Sequence, residues 1–259
     1  MITNNMLTTI AEKKVEEIKH AKSVLSIDQL KEQSYGKTRD FISPLRQHRP
    51  AIIAEIKKGS PSKGIIRADF DVAAIAKDYQ NHGAACLSVL TDETFFYGHP
   101  TNINIAKANS SLPVLRKDFI IDPYQVYESK YLGADCILLI VAMLSDKQLL
   151  ELCELAQSLS MAVLVESHDE SELKRALTLP TPLMGINNRN LNTFNTDIHT
   201  SIRLRKLIPE DRIIISESGI HTRDDIEKLN HEGIHCFLIG ESLMRQTEPG
   251  TYLHELTRR

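Results

Sequence analysis

The chain has 259 residues, of which 42% are hydrophobic and 25% charged, and its formal net charge is −3. That balance is ordinary for a globular protein and argues against a basic surface for nucleic acid or an anionic membrane. The N-terminus lacks the apolar stretch of a signal peptide, the longest apolar run (136–144) is too short to span a bilayer, and the four cysteines (Cys86, Cys136, Cys153, Cys236) form no CxxC, so a cytoplasmic protein with packed thiols is expected.

In chain order, residues 7–22 read as a charged helix and residues 27–32 as a second, short one. No strand signal precedes residue 51, so residues 1–45 are expected to form an N-terminal helical extension. Eight apolar runs follow, at 51–56, 84–90, 113–115, 135–141, 161–165, 183–186, 212–215 and 235–239. Several are continuous Val/Ile/Leu stretches, as parallel strands covered on both faces require. The segments between them have helical periodicity. Val72, Ile75, Ala76 and Tyr79 share one helical face, as do Leu149, Leu152, Leu155 and Ala156. Ser145 is placed to cap the second of these, and Thr222 with Asp225 forms a capping-box variant at a later helix start. Gly83, Gly133 and Gly233 each stand where a helix would end before the next strand.

Eight strand–helix alternations over residues 46–259 predict an α/β fold, a single (β/α)8 or TIM barrel with the extension in front. The competing arrangement is an open, doubly wound sheet. No GxGxxG follows the first run, and polar residues recur after many runs instead of at one crevice, so the closed barrel is preferred.

The ends of the runs carry the chemistry. They turn polar at Glu55-Ile56-Lys57, Thr91-Asp92, Arg116-Lys117-Asp118, Glu166, Asn187-Asn188-Arg189, Ser216-Glu217-Ser218-Gly219 and Gly240-Glu241. Side chains alternate faces along a strand, so Glu55 shares a face with Lys57, Asn187 with Arg189, and Leu115 with Lys117 and Phe119. Turned inward, Glu55, Lys57, Lys117, Glu166, Asn187, Arg189 and Glu217 would converge at the C-terminal mouth, the active-site face of such barrels. Each alone could be a solvated rim charge. Unpaired charges buried together would cost several kcal/mol apiece, which argues against an accidental set.

The turns at Gly219 and Gly240 follow the last two runs, where many barrels present backbone N–H groups to a phosphate. The loop from Lys58 to Gly64 is glycine-rich but is not a Walker loop, because Ile65 and Ile66 stand where Lys and Ser/Thr are required. The ten histidines are scattered without HxH or HExxH, so surface or packing roles are expected for them. Asp169, Glu170 and Glu172 read as a solvated helix start.

Seven ordered stretches together resemble the indole-3-glycerol-phosphate synthases of tryptophan biosynthesis, from about residue 45 to 256. They are Ile53–Lys57 with Ser60-Pro61-Ser62, Leu87–Asp92, Leu115–Phe119, Val165-Glu166, Gly185–Leu191, Ser216–Ile220 and Phe237–Met244. The resemblance implies a β/α barrel whose N-terminal helical segment lies over the mouth. It implies a carboxy-lyase that converts 1-(2-carboxyphenylamino)-1-deoxyribulose 5-phosphate to indole-3-glycerol phosphate, CO2 and water with no cofactor or metal. By the same resemblance Lys117 is the general acid for ring closure, and Lys57 holds the carboxylate and serves the dehydration. Glu166 and Glu55 are the acid–base candidates for that step. Asn187, Arg189 and Glu217 orient substrate. Ser60, Gly219, Gly240 and Glu241 hold phosphate, and Phe96, Phe119, Leu138, Leu191 and Leu238 line the ring pocket. Glu241 is a departure, since many relatives carry Ser there. The expected partner is a small-molecule phosphosugar substrate, with no nucleic acid or membrane, and the chain is expected to be a monomer, with a weak oligomer as the alternative. Two alternatives are a phosphoribosylanthranilate isomerase-like barrel, which would need Cys and Asp where Glu55/Lys57 and Asn187 stand, and a catalytically silent barrel.

Overall fold

The computed structural model describes residues 6–33, 35–190 and 193–258. Eight parallel strands close into one barrel: β1 (Ala51–Ile56), β2 (Cys86–Leu90), β3 (Val114–Lys117), β4 (Cys136–Ile140), β5 (Ala162–Ser167), β6 (Leu183–Asn187), β7 (Ile213–Glu217) and β8 (Cys236–Ile239). Each strand pairs with its neighbour in sequence, and β8 closes on β1 with Ala51 opposite Cys236. A short antiparallel hairpin, Gly59–Ser60 with Gly64–Ile65, rises from the end of β1.

Three helices precede the barrel: α1 (Met6–Val24), α2 (Ile27–Lys31) and α3 (Ile42–Gln47). The barrel helices follow as α4 (Val72–Asn81), α5 (Asn102–Asn109), α6 (Pro123–Tyr131), α7 (Asp146–Ser158), α8 (Glu170–Ala176), α9 (His199–Arg205), α10 (Arg223–His231), α11 (Glu241–Met244) and α12 (Pro249–Thr257). Ser145 with Gln148 and Thr222 with Asp225 close capping boxes at α7 and α10. Gly83, Gly133 and Gly233 lie just past α4, α6 and α10 at φ 86°, 88° and 80°, a left-handed stop that frees the chain for the next strand.

Strand parity divides the core in two. Outward residues such as Ile52, Ala54, Leu87, Val89, Ile137 and Val163 pack under the helices. Inward residues, among them Ile53, Leu115, Leu138, Leu164, Leu183, Ile215 and Leu238, fill the barrel, and Phe41 and Leu45 belong to the same interior cluster. Phe41 and α3 therefore close the barrel floor, and α3 straddles residue 45, the expected end of the extension. All four cysteines are buried and free. Among the described residues no helix is long and apolar enough to cross a membrane.

Several strands run further than their apolar stretches. β3 extends to Lys117, β5 to Ser167, β6 to Asn187 and β7 to Glu217. The ladder continues through polar residues because the next strand supplies backbone partners; Asn187, for example, lies opposite Glu217. The inward face thus changes from aliphatic to charged without leaving the sheet.

Candidate active site

A cavity opens at the C-terminal mouth. Of the site residues expected from sequence, Glu55, Lys57, Ser60, Phe96, Lys117, Phe119, Leu138, Glu166, Asn187, Arg189, Glu217, Gly219, Leu238, Gly240 and Glu241 all line it. Leu191 lies outside the described residues. Met6, Leu7 and Ile10 of α1 complete one wall. The rings of Phe96 and Phe119 lie 5.9 Å apart, tilted at 42°, an arrangement suited to holding a flat aromatic group.

Lys117 is the centre of the charge. Its ammonium lies 2.8 Å from Glu166 Oε2 and 3.4 Å from Glu217 Oε2. Burial opposes a charge on Lys117, but Glu166, Glu217 and Glu55 outweigh it and hold its pKa above the ordinary lysine value. Two carboxylates facing one ammonium cannot be equivalent. Burial acts against the charge on Glu166, yet Lys117, His168 and a 3.0 Å hydrogen bond donated by Asn187 keep it ionised, below the usual carboxylate range. For Glu217, burial and repulsion from Glu166 and Glu55 outweigh Lys117 and lift it to about 8. Glu217 Oε1 has no hydrogen-bond partner among the described residues. A second ion pair, Lys57 to Glu55 at 2.6 Å, stands nearby.

Two glycines make room for these carboxylates. A Cβ on Gly240 would overlap the Glu55 carboxylate, and one on Gly185 would overlap Glu217 Oε1. Gly240 is thus required by close packing as well as by any anion-binding role. In the turn after β7, Ser218 and Gly219 both adopt positive φ, 66° and 73°. Such a conformation costs a non-glycine residue about 1–3 kcal/mol. Asn188 stabilises it by donating to the Ser218 carbonyl at 3.0 Å. Glu241 is occupied by cations: Arg245 lies 2.9 Å from one carboxylate oxygen and Arg189 3.4 Å from the other.

Three further features were not foreseen. Lys14 of α1 is buried, with its ammonium 2.7 Å from Asp92 Oδ2, 2.8 Å from Glu17 Oε2 and 2.9 Å from Asp118 Oδ1. It ties the first helix to the ends of β2 and β3, beside Lys117. His168 is no surface histidine, because it lies 3.2 Å from Glu166 Oε1 and 2.9 Å from Glu172 Oε2. Glu172 is correspondingly a partnered residue, so the reading of the α8 start as merely solvated does not hold for it. Arg116 points away from the barrel interior but is buried, paired with Asp118 at 3.1 Å and Glu128 at 2.8 Å.

The family model described as indole-3-glycerol phosphate synthase matches residues 7–256. The chain belongs to the indole-3-glycerol phosphate synthase family. A relative of that name from Legionella pneumophila (strain Paris) is 59% identical over 254 residues, covering 98% of both chains. Another, from Polaromonas naphthalenivorans (strain CJ2), is 57% identical over 223 residues and 85% of each chain. Among solved structures, a 3-hexulose-6-phosphate synthase superposes with TM-score 0.64 at 12% identity, covering 80% of this chain and 98% of that one. KGPDC from Streptococcus mutans gives 0.61 at 10% identity, covering 81% and 96%. At such identities these two establish the barrel fold alone.

Proposed function

We propose that this member of the family closes, decarboxylates and dehydrates 1-(2-carboxyphenylamino)-1-deoxyribulose 5-phosphate to indole-3-glycerol phosphate, the indole-forming step of tryptophan biosynthesis, using the residues at the barrel mouth. The observation that carries the reading is the Lys117 ammonium set between Glu166 and Glu217 in a cavity walled by Phe96, Phe119, Leu138 and Leu238.

The chemistry needs those groups. The aryl carbon bearing the carboxylate attacks the ketone carbon, and Lys117 donates a proton to the ketone oxygen as the bond forms. Lys57 holds the carboxylate while CO2 leaves and the ring regains aromaticity. Loss of the hydroxyl as water needs a second proton, and loss of the neighbouring C–H needs a base. Glu166, kept ionised and oriented by Asn187, is the base. Glu55 acts through Lys57, which it contacts. Glu217, with one oxygen unpartnered, orients a substrate hydroxyl. Ser60, Gly219, Gly240 and the backbone of Glu241 hold the phosphate, while Arg189 and the Glu241 carboxylate pair at the rim. Residues 1–45 act as an extension whose first helix supplies Met6, Leu7 and Ile10 to the wall and whose last turns close the floor.

The test is turnover. Purified protein with the carboxyphenylamino substrate should produce indole absorbance without added metal or cofactor. A chain that binds this substrate and never forms an indole would remove the proposal.

A further inference from the structure

The proposed reaction has a proton balance that the mouth residues alone do not close. The substrate enters with an ionised carboxylate and leaves as neutral CO2. One proton goes to the ketone oxygen, a second leaves with the hydroxyl as water, and one returns from the C–H lost on aromatisation. Each turnover therefore consumes one proton from solution. Yet the donor is deeply placed: the Lys117 side chain is 16% exposed and Glu166 is 4% exposed before any substrate covers them.

Glu166 faces two ways. Its Oε2 meets Lys117, whereas its Oε1 meets the imidazole Nε2 of His168 at 3.2 Å. His168 Nε2 is buried, and the Glu166 carboxylate is the ion-pair partner facing it. Its other nitrogen, Nδ1, contacts Glu172 at 2.9 Å. His168 and Glu172 line a second cavity, outside the wall of the substrate cavity, whereas Glu166 lines the substrate cavity and not the second one. Leu7, Asn187 and Arg189 line both cavities, so the two spaces adjoin, and the contact of His168 with Glu166 is a titratable step from one to the other.

We infer that His168 is a relay residue that passes the proton consumed in each turnover from the second cavity to Glu166 and so to Lys117. The inference rests on the proposed reaction. In the step, the imidazolium loses its Nε2 proton to Glu166. The carboxyl turns about its Cγ–Cδ bond and gives that proton to the amine left on Lys117 after ring closure, so that Lys117 can give the second proton to the departing hydroxyl; Glu166, again ionised, then takes the C–H proton and returns it to Lys117. His168 regains its proton from solvent entering the second cavity. No electron transfer or further reactant is involved. The charged groups facing His168 are Glu166 from β5 and Asp169 and Glu172 at the start of α8, with Arg189, Asp197 and Arg203 across the cavity. Burial disfavours charge on the imidazole, but Glu166 and Glu172 outweigh it and raise it to about 10, so it is loaded at neutral pH.

The experiment uses the full chain, with the wild type assayed first. If wild type fails to make indole, the proposed reaction falls before the relay is tested. Given wild-type turnover, His168→Asn should lower kcat at least about tenfold, short of the ~10²-fold scale of a group that contacts substrate. KM should be nearly unchanged. The solvent deuterium isotope effect on kcat should rise, because proton delivery becomes limiting, and added imidazole should restore rate. Glu172→Gln, which still accepts from the imidazole, should lower kcat at unchanged KM and guards against a folding defect in the first variant. A merely structural histidine would give a lower Tm with no isotope change and no imidazole rescue. Either that pattern in both variants or wild-type kcat in His168→Asn would overturn the relay.

Discussion

Lys14→Met removes one cation from among three carboxylates while keeping the length and apolar stem of the side chain. In the folded protein the Lys14 side chain is 5% exposed, Asp92 is fully buried and Asp118 is 2% exposed. Burial disfavours the Lys14 charge, but Asp118 and Asp92 outweigh it and push its pKa above the ordinary lysine value. Without it, both aspartates lose a buried counter-ion. Arg116 and Thr91 still hold Asp118, whereas among the described residues Asp92 keeps the Phe95 and Phe96 amides alone. Breaking one side of a buried pair costs about 3–5 kcal/mol. At this chain length that lowers Tm on the order of 10 °C. Because Asp92 caps the turn carrying Phe96, and Asp118 lies between Lys117 and Phe119, KM should rise and kcat should fall as well. Lys13→Met is the control, since its pair with Glu16 is exposed and should contribute little. Calorimetry and steady-state kinetics on both variants measure these effects. A Lys14→Met protein melting within about 2 °C of wild type with unchanged KM would refute the reasoning that the first helix is latched here.

Glu217, raised by burial from 4.5 to about 8, binds its proton more tightly in the folded state, so its contribution to stability is full below pH 4.5 and is lost as pH rises to about 8. Glu217→Gln should flatten that decline in Tm across the window, and an unaltered slope would exclude Glu217 as its source. Gly219→Val should raise substrate KM strongly, because Gly219 sits at φ 73° with Thr196 3.1 Å from any added Cβ, and the turn would have to move. An unchanged KM in a folded Gly219→Val protein would contradict the phosphate placement.

The barrel was legible because parity and periodicity are local signals. Alternation along β1 already placed Glu55 and Lys57 on one face, and the polar ends of the other strands followed the same rule. The strand ends were read short at Leu115, Val165 and Ile215 because apolar content was the criterion. Those strands continue into Lys117, Glu166 and Glu217 on backbone pairing that no composition reveals. Lys14 occupies a position in the buried stripe Leu7, Ile10, Lys14, Ile18. A charge at an apolar position was the one available signal, but its partners Asp92 and Asp118 are remote in sequence. His168 carried no signal of its own, since its meaning comes from the closure of β5 on α8. In the sequence Gly240 reads as a phosphate-holding turn and Gly185 only as the start of a matching stretch, and only the folded packing shows that each makes space for a carboxylate.

The most direct test of the account is the rate of indole formation by Lys117→Ala, measured with substrate Kd and Tm beside wild type. Lys117 is both the donor to the ketone oxygen and the buried cation that pairs with Glu166 and lies beside Glu217, so Tm should fall along with activity. The expected loss of kcat is ~10²-fold or more, with substrate affinity largely retained through the phosphate and aromatic contacts. A folded Lys117→Ala enzyme keeping more than about a tenth of wild-type kcat, well short of that ~10²-fold loss, would contradict it.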